Sequence, residues 1–329
     1  MPSRLDLARS TGPADRHRLP TLTSSTAIAA SCDTRTFLST RITEAYMRNR
    51  SDELDLHGKT VLLTGATGGL GGVLAHRLAE RGATLVLTGR NLDKLAKLAD
   101  ELAPLGNAAV VIPTDITSLE SIEVFVAKVD SEVGALDALV SNAGVEYYGA
   151  YTRHNLNELE QTITTHLLAP MALIRSVLPG MIARRTGHIV LMSSISGKAP
   201  NPYGAAYSAS KAGLVGLSSS LRTELTGTGV SCSVICPAFI TDVEDGMYIR
   251  IQREGLQPPG LVGVAPAARC ADAVIRVLRT GEPEVIVSSK PLRLMLAAQA
   301  LWPALSERAL AKTGVTEFFK QLSARRGRL

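Results

Sequence analysis

The sequence predicts an α/β fold, a single domain built on a doubly wound sheet of seven parallel strands with helices on both faces. Two observations predict it. From Leu56 onward short apolar runs alternate with amphipathic helical stretches, as buried strands joined by crossover helices require. A glycine-rich turn then links the first apolar run to the first helical stretch, while no internal repeat or Pro/Gly/Ser linker divides the body. Right-handed crossovers between parallel strands give the doubly wound arrangement.

Taken in order, residues 1–55 are expected to be a disordered extension: the first fifty hold fourteen Ser or Thr and no sustained apolar period. The domain is expected over 56–289. Its strands are predicted at 60–63, 84–88, 108–112, 136–141, 188–192, 231–236 and 284–287, and its helices include 69–81, 92–102, 119–133, 156–181 and 205–226. Residues 290–329 form an expected helical extension. Within it 294–305, broken by Gln299 and Pro303 and flanked by Arg293, Glu307 and Arg308, reads as an amphipathic helical pair suited to packing or dimer contact more than to interfacial anchoring. Sequence leaves open whether this extension joins an interface or caps a pocket.

Composition narrows the function classes. Of 329 residues 45% are apolar and 20% charged, which excludes collagen-like, coiled-coil and wholly disordered chains. Four Cys are too few to frame a secreted scaffold of this length, so a cytoplasmic location is expected. Eight Arg, no Lys and four acidic residues in 1–50 account for most of the +5 formal charge. The body is therefore near neutral, and no nucleic-acid partner is expected. No apolar run approaches a membrane span, so no integral segment is expected, with peripheral membrane association and a mitochondrial address left open. Asp6, Asp15 and Asp33 argue against a transit peptide. The six His show no ligand spacing, and Cys232 and Cys236 read as strand packing, so no metal site is expected.

In the glycine-rich turn, Gly65 permits a tight exit from the strand, Gly69 lets the backbone approach a pyrophosphate, and Gly71 lets the helix pack closely. Thr67, Gly68 and Leu70 complete this candidate phosphate cradle. Further on, Tyr207 and Lys211 stand four residues apart in a helical stretch, on one face. Such a pair has a chemical use, because lowering a phenol pKa by roughly 3 units to make a base takes about 4 kcal/mol of anion stabilisation. Alone, the pair would read as structural.

The spacing Thr-Gly-x3-Gly-x-Gly, followed by Asn142-Ala143-Gly144 and by Tyr207-Ser-Ala-Ser-Lys211, resembles the short-chain dehydrogenase/reductase family in its compact form, over about residues 56–287. The resemblance implies a Rossmann-type oxidoreductase that interconverts a carbonyl and an alcohol, with a homodimer or homotetramer as the expected assembly. Gly89 stands where an NAD-selective acid would sit, and the neighbouring Arg90 suits a 2′-phosphate, so NADP(H) is preferred over NAD(H). A solvated Arg opening a helix is the plainer reading of Arg90. By resemblance Asp115 and Ile116 serve the adenine, and Asn142, Ala143 and Gly144 floor the ribose, with Asn142 alternatively tying the sheet together. Pro237, Ile240 and Thr241 would meet the nicotinamide end and the pyrophosphate.

The catalytic set implied by the resemblance is Ser194 to hold the substrate oxygen, Tyr207 as general acid/base, and Lys211 to tune it and hold the ribose. His166 stands where the family usually has Asn. It is expected either to hold the relay water through a ring nitrogen, to titrate near neutrality, or to be a plain helix residue. The stretch 243–262 reads as a lid, whose Met247, Tyr248, Ile249 and Leu256 suggest a wall for a lipophilic ketone or aldehyde, or alternatively seat the lid on the body. A cofactor-binding regulatory or scaffold protein is the rival reading from another class, and an isomerase or epimerase is the rival among enzymes.

Overall fold

Strands form where Val, Leu and Ile run uninterrupted, and helices where apolar residues recur every three to four positions. A computed structural model describes residues 56–106, 109–244 and 246–325; the expected disordered extension lies outside them. In chain order the elements are β1 (Thr60–Thr64), α1 (Gly69–Ala79), β2 (Thr84–Thr88), α2 (Leu92–Leu102), β3 (Ala109–Val111), α3 (Leu119–Glu132), β4 (Ala138–Ser141), α4 (Leu156–Ile163), α5 (Ala169–Arg184), β5 (Gly187–Met192), α6 (Ala205–Glu224) and β6 (Val230–Pro237). There follow β7 (Phe239–Ile240), α7 (Met247–Arg253), β8 (Val264–Ala265), α8 (Ala267–Thr280), β9 (Glu284–Val287), α9 (Arg293–Leu301), α10 (Pro303–Ala311) and α11 (Val315–Ala324).

Seven strands make one parallel sheet in the order β3-β2-β1-β4-β5-β6-β9. Alternate side chains along each strand enter opposite cores. Leu63, Leu85, Val140 and Val190 pack with Leu74, Leu95 and Val274 from α1, α2 and α8. Leu62, Val86, Leu139 and Ile189 pack with Phe125, Leu173 and Leu214 from α3, α5 and α6. Because β1 is flanked by β2 and β4, the chain reverses its direction of winding there, and the crevice at the strand ends opens at that point.

Three differences from the sequence expectation have physical causes. The helix predicted over 156–181 is instead α4 and α5 joined through a π-helical turn, Thr164–Leu168, and it continues past Pro179 to Arg184. Among the described residues it is the helix long and apolar enough to cross a membrane, yet Leu173, Ile174, Val177 and Met181 bury against the sheet. The lid stretch carries α7 and is held by a second two-stranded sheet, β7-β8. Finally, α11 docks Val315, Phe318, Phe319 and Leu322 on Ile251 and Leu256, with Tyr148 and Phe239 alongside. The C-terminal helices therefore contribute to the pocket wall.

Candidate active site

The C-terminal ends of the central strands open into one cavity of about 800 Å³, large enough for a dinucleotide end and a small substrate. Gly65 leaves β1 with φ of +65°, and a Cβ there would come within 2.6 Å of the Ala143 Cα. A Cβ on Gly71 would lie 2.1 Å from the Gly65 carbonyl oxygen, so this glycine packs the helix on its own turn. Gly69 carries the side chain of Val243 directly over it. The first turn of α1 has no acidic residue and no side-chain cap, leaving its N–H groups at the cavity.

Asn142 ties β1 to β4, which is the structural alternative for this residue. Its N–H donates to Thr64 Oγ1 at 3.0 Å, and its amide donates to the carbonyls of Thr64 (3.2 Å) and Gly65 (3.3 Å). Ala143 and Gly144 continue the same wall, with Ile116, Asp115 and Arg90 beyond them. Burial raises the Asp115 carboxyl, but the Thr117 hydroxyl and amide and the Arg90 charge outweigh it and leave the group below its ordinary value. At the end of β2, Thr88 Oγ1 is buried with no hydrogen-bond partner among the described residues, in the wall beside Gly89 and Arg90. An orphaned hydroxyl there and a cradle that a Cβ would fill both fit a dinucleotide.

At the other end of the cavity the loop after β5 presses on α6. Ser193 Oγ donates to the Lys211 carbonyl at 2.8 Å, and a Cβ on Gly197 would meet that same carbonyl at 2.6 Å. This leaves Ser194 in the cavity wall, where it accepts from the Ser196 N–H at 3.1 Å. Burial, reinforced by the Glu146 carboxylate, pushes the Tyr207 phenol well above its ordinary value, while a hydrogen bond with Ser194 pulls the other way. Lys211 is buried, with Nζ 2.8 Å from the Met192 carbonyl oxygen and 5.6 Å from the Tyr207 ring centroid. Burial pulls its ammonium down to about 8, against the pull of Glu146 and Cys236.

His166 departs from the sequence expectation. It is buried in the π-helical turn, where Nε2 accepts from the Val145 N–H at 3.0 Å, which fixes the proton on Nδ1. Nδ1 then donates to Ser210 Oγ (3.2 Å), and that hydroxyl donates to the Tyr207 carbonyl (2.7 Å). Burial and the Lys211 charge hold the imidazole well below its ordinary pKa. Titration near neutrality is thus corrected, because desolvation keeps the ring neutral, and both ring nitrogens are committed to protein partners. His166 instead braces the loop after β4 against α6, its ring edge-on to Tyr207 at 5.3 Å.

One further expectation is corrected. Thr241 is not in the cavity wall; its N–H donates to Ala265 O at 3.1 Å in continuation of β7-β8 pairing, and Val243 takes the place beside the glycine turn. Pro237 and Ile240 do line the cavity. Of the lid residues, Met247 and Tyr248 line it, whereas Leu256 seats the lid in the core under α11.

Sequence reasoning missed the far wall. Glu146 accepts a hydrogen bond from Arg250 at 3.0 Å inside the cavity. Tyr148 lies 6.0 Å from both the Tyr207 and the Phe319 ring centroids. Nothing in the motifs marks Glu146 or Tyr148. For Phe319 a signal existed, since Val315, Phe318, Phe319 and Leu322 repeat at helical spacing.

Comparison with known proteins gives consistent findings. Residues 59–250 match the short chain dehydrogenase family. The chain is 36% identical over 268 residues to the ketoacyl reductase HetN of Nostoc sp., covering 80% of this chain and 92% of that protein. It is 33% identical over 187 residues to the 3-oxoacyl-acyl-carrier-protein reductase FabG of Vibrio harveyi, covering 57% and 75%. A crystal structure of a metagenomic short-chain oxidoreductase in complex with NADP aligns with a TM-score of 0.60 at 32% identity, covering 71% of this chain and 98% of that one.

Proposed function

The chain belongs to the short-chain dehydrogenase/reductase family, and from that premise we propose that it is an NADPH-dependent reductase of lipophilic ketones or aldehydes. The observation that carries this reading is the convergence of Ser194, Tyr207 and Lys211 on one end of a cavity whose other end is the glycine cradle. When bound, NADPH would supply the hydride. The glycine turn from Gly65 to Gly71, Arg90, Asp115, Ile116 and the wall from Asn142 to Gly144 would hold it, with Lys211 at its ribose.

The chain's own groups handle the proton. Ser194 and Tyr207 direct hydroxyls at the carbonyl oxygen, and Tyr207 gives up its proton as that oxygen becomes an alkoxide. The elevated phenol pKa keeps the proton in place until that moment. Lys211, whose Nζ lies 5.6 Å from the Tyr207 ring centroid, then stabilises the phenolate by its charge. Aromatic and thioether side chains, among them Phe239, Met247 and Phe319, support an apolar substrate. Leu168 at the end of the π-helical turn and Met171 and Ile182 on α5, all exposed, support a homo-oligomer.

The direct test is NADPH and NADH binding to the purified protein, followed by absorbance change on addition of lipophilic aldehydes and ketones. Oxidation of NADPH by a panel member supports the reading. Tight binding with no oxidation across the panel would point to the regulatory alternative.

Two narrower results are expected. Arg90→Ala should weaken NADPH binding by about 1–3 kcal/mol, the worth of charge-assisted bonds, and leave NADH binding unchanged; equal losses for both would remove Arg90 as the phosphate reader. Because Lys211 carries its charge only below about 8, kcat/KM for reduction should be level at neutral pH and fall above that value as the cation is lost. A profile still flat at pH 10 would contradict the role given to Lys211.

A further inference from the structure

The pair formed by Glu146 and Arg250 stands at the reacting end of the cavity. Arg250 Nη2, on the lid helix α7, donates to Glu146 Oε2 at 3.0 Å, and the two side chains keep 33 and 34% of their surface in the cavity wall. The residues flanking Glu146 fix its place. Val145 is held through its N–H by His166, whose ring stands 5.3 Å from that of Tyr207, and the Tyr148 ring lies 6.0 Å from the same ring. Glu146 is thereby set at the edge of the catalytic tyrosine.

A carboxylate is an adverse neighbour for this chemistry. Hydride delivery builds negative charge on the substrate oxygen, and Tyr207 becomes a phenolate as it gives up its proton, so anionic charge grows beside one already fixed. Glu146 opposes ionisation of the Tyr207 phenol and supports the Lys211 cation. Its own carboxyl is raised by desolvation, against the pull of Arg250 and Lys211. Around it stand Arg250 from α7, Tyr207 and Lys211 from α6, Tyr148 from its own loop and the neutral His166 from the π-helical turn. Tyr248 of the lid and Glu307 of α10 line the same cavity. Of the two cations in this group, Lys211 is engaged with the Met192 carbonyl oxygen, and Arg250 makes the ion pair with Glu146.

We propose that Arg250 serves the reduction by acting through Glu146: carried on the lid, its guanidinium offsets the Glu146 carboxylate, so that charge developing on the substrate oxygen and on Tyr207 meets no uncompensated anion. This rests on the reductase reading and adds a condition to it. Arg250 adjoins Ile251, which lies in the core under α11, and Glu254 one turn further pairs with Arg325 at 3.6 Å. The reacting end is therefore electrostatically complete only with the lid seated on the C-terminal helix.

The test measures kcat and KM for NADPH oxidation from about pH 5.5 to 9, with a carbonyl that the wild type reduces. Arg250→Gln is expected to lower kcat about tenfold at about pH 8, and kcat should climb again toward acid as Glu146 takes a proton, where the wild type is level. Adding Glu146→Gln to that variant should return most of the lost rate. A lid tether with no electrostatic part would leave the double variant as slow as the single one and the acid side flat. Either result overturns the proposal, as does an Arg250→Gln protein with the wild-type kcat. Should Arg250→Gln fail to fold, seen as lost NADPH affinity, Glu146→Gln alone decides. Lys211 then loses a nearby anion, so the alkaline fall in rate, at about 8 in the wild type, should move to lower pH, and an unmoved fall overturns the proposal. A wild type that oxidises NADPH with no carbonyl removes the reductase reading and this proposal together, and that failure is recognised before any variant is made.

Discussion

Tyr207→Phe is expected to lower kcat by about 10²–10⁴-fold with NADPH affinity kept within a few-fold. The substitution removes one oxygen and little else, since the ring keeps its packing against His166 and Tyr148. Lost with that oxygen is the proton that must reach the alkoxide in the transition state. The groups beside it do not take its place: burial and both hydrogen-bond partners keep His166 neutral and engaged, Lys211 Nζ is held on the Met192 carbonyl oxygen at 2.8 Å, and Ser194 is far too weak an acid. Single-turnover NADPH oxidation together with fluorescence titration of the cofactor would check this. Activity within a few-fold of wild type would remove Tyr207 from the reaction. His166→Asn tests the brace behind it: a modest loss of kcat with the pH profile unchanged is expected, because the ring contributes position and no proton, whereas a moved pH break would give His166 a titrating role.

Phe319→Ala is expected to cost about 3–5 kcal/mol, the usual range for emptying a buried aromatic site. The ring is 4% exposed and packs on Tyr148, on Phe239 at 6.5 Å between centroids and on Phe318 at 5.1 Å. These contacts hold α11 to the lid, so the loss falls on the docking of α11 before it reaches the sheet. Trypsin should then cut the C-terminal segment about a hundredfold faster or more, KM for bulky substrates should rise, and NADPH affinity should be unaffected. Unchanged proteolysis with unchanged KM would show that α11 is not part of the substrate wall.

How far the fold could be read from sequence depended on whether a signal was local. Parallel strands such as β1 and β9 are continuous apolar runs bounded by polar residues, and the observed bounds sit within a residue or two of the expected ones. Spacing alone located the turn at Gly65 and the pair Tyr207 and Lys211, because each motif requires fixed offsets along one element. The Glu146–Arg250 pair was invisible, since its members are 104 positions apart and meet only after the sheet and lid have formed. Thr241 failed for a similar reason: pairing with β8, set by residues near 265, claims its backbone first. At His166 the sequence showed an unusual residue but not its environment, and burial decided its charge.

The π-helical turn at Thr164–Leu168 amounts to one surplus residue absorbed locally, which leaves the helical phase of α4 and of α5 each matched to its own neighbours. Loss of a single codon within that turn is therefore expected to convert it to ordinary α-helix while both flanking faces keep their partners. Such a deletion would leave Leu173 and Met181 seated in the core and carry the His166 imidazole away from Val145. In this helix, then, the chemistry of the site and the integrity of the fold can be altered independently, and a length variant there is a more selective lesion than most substitutions.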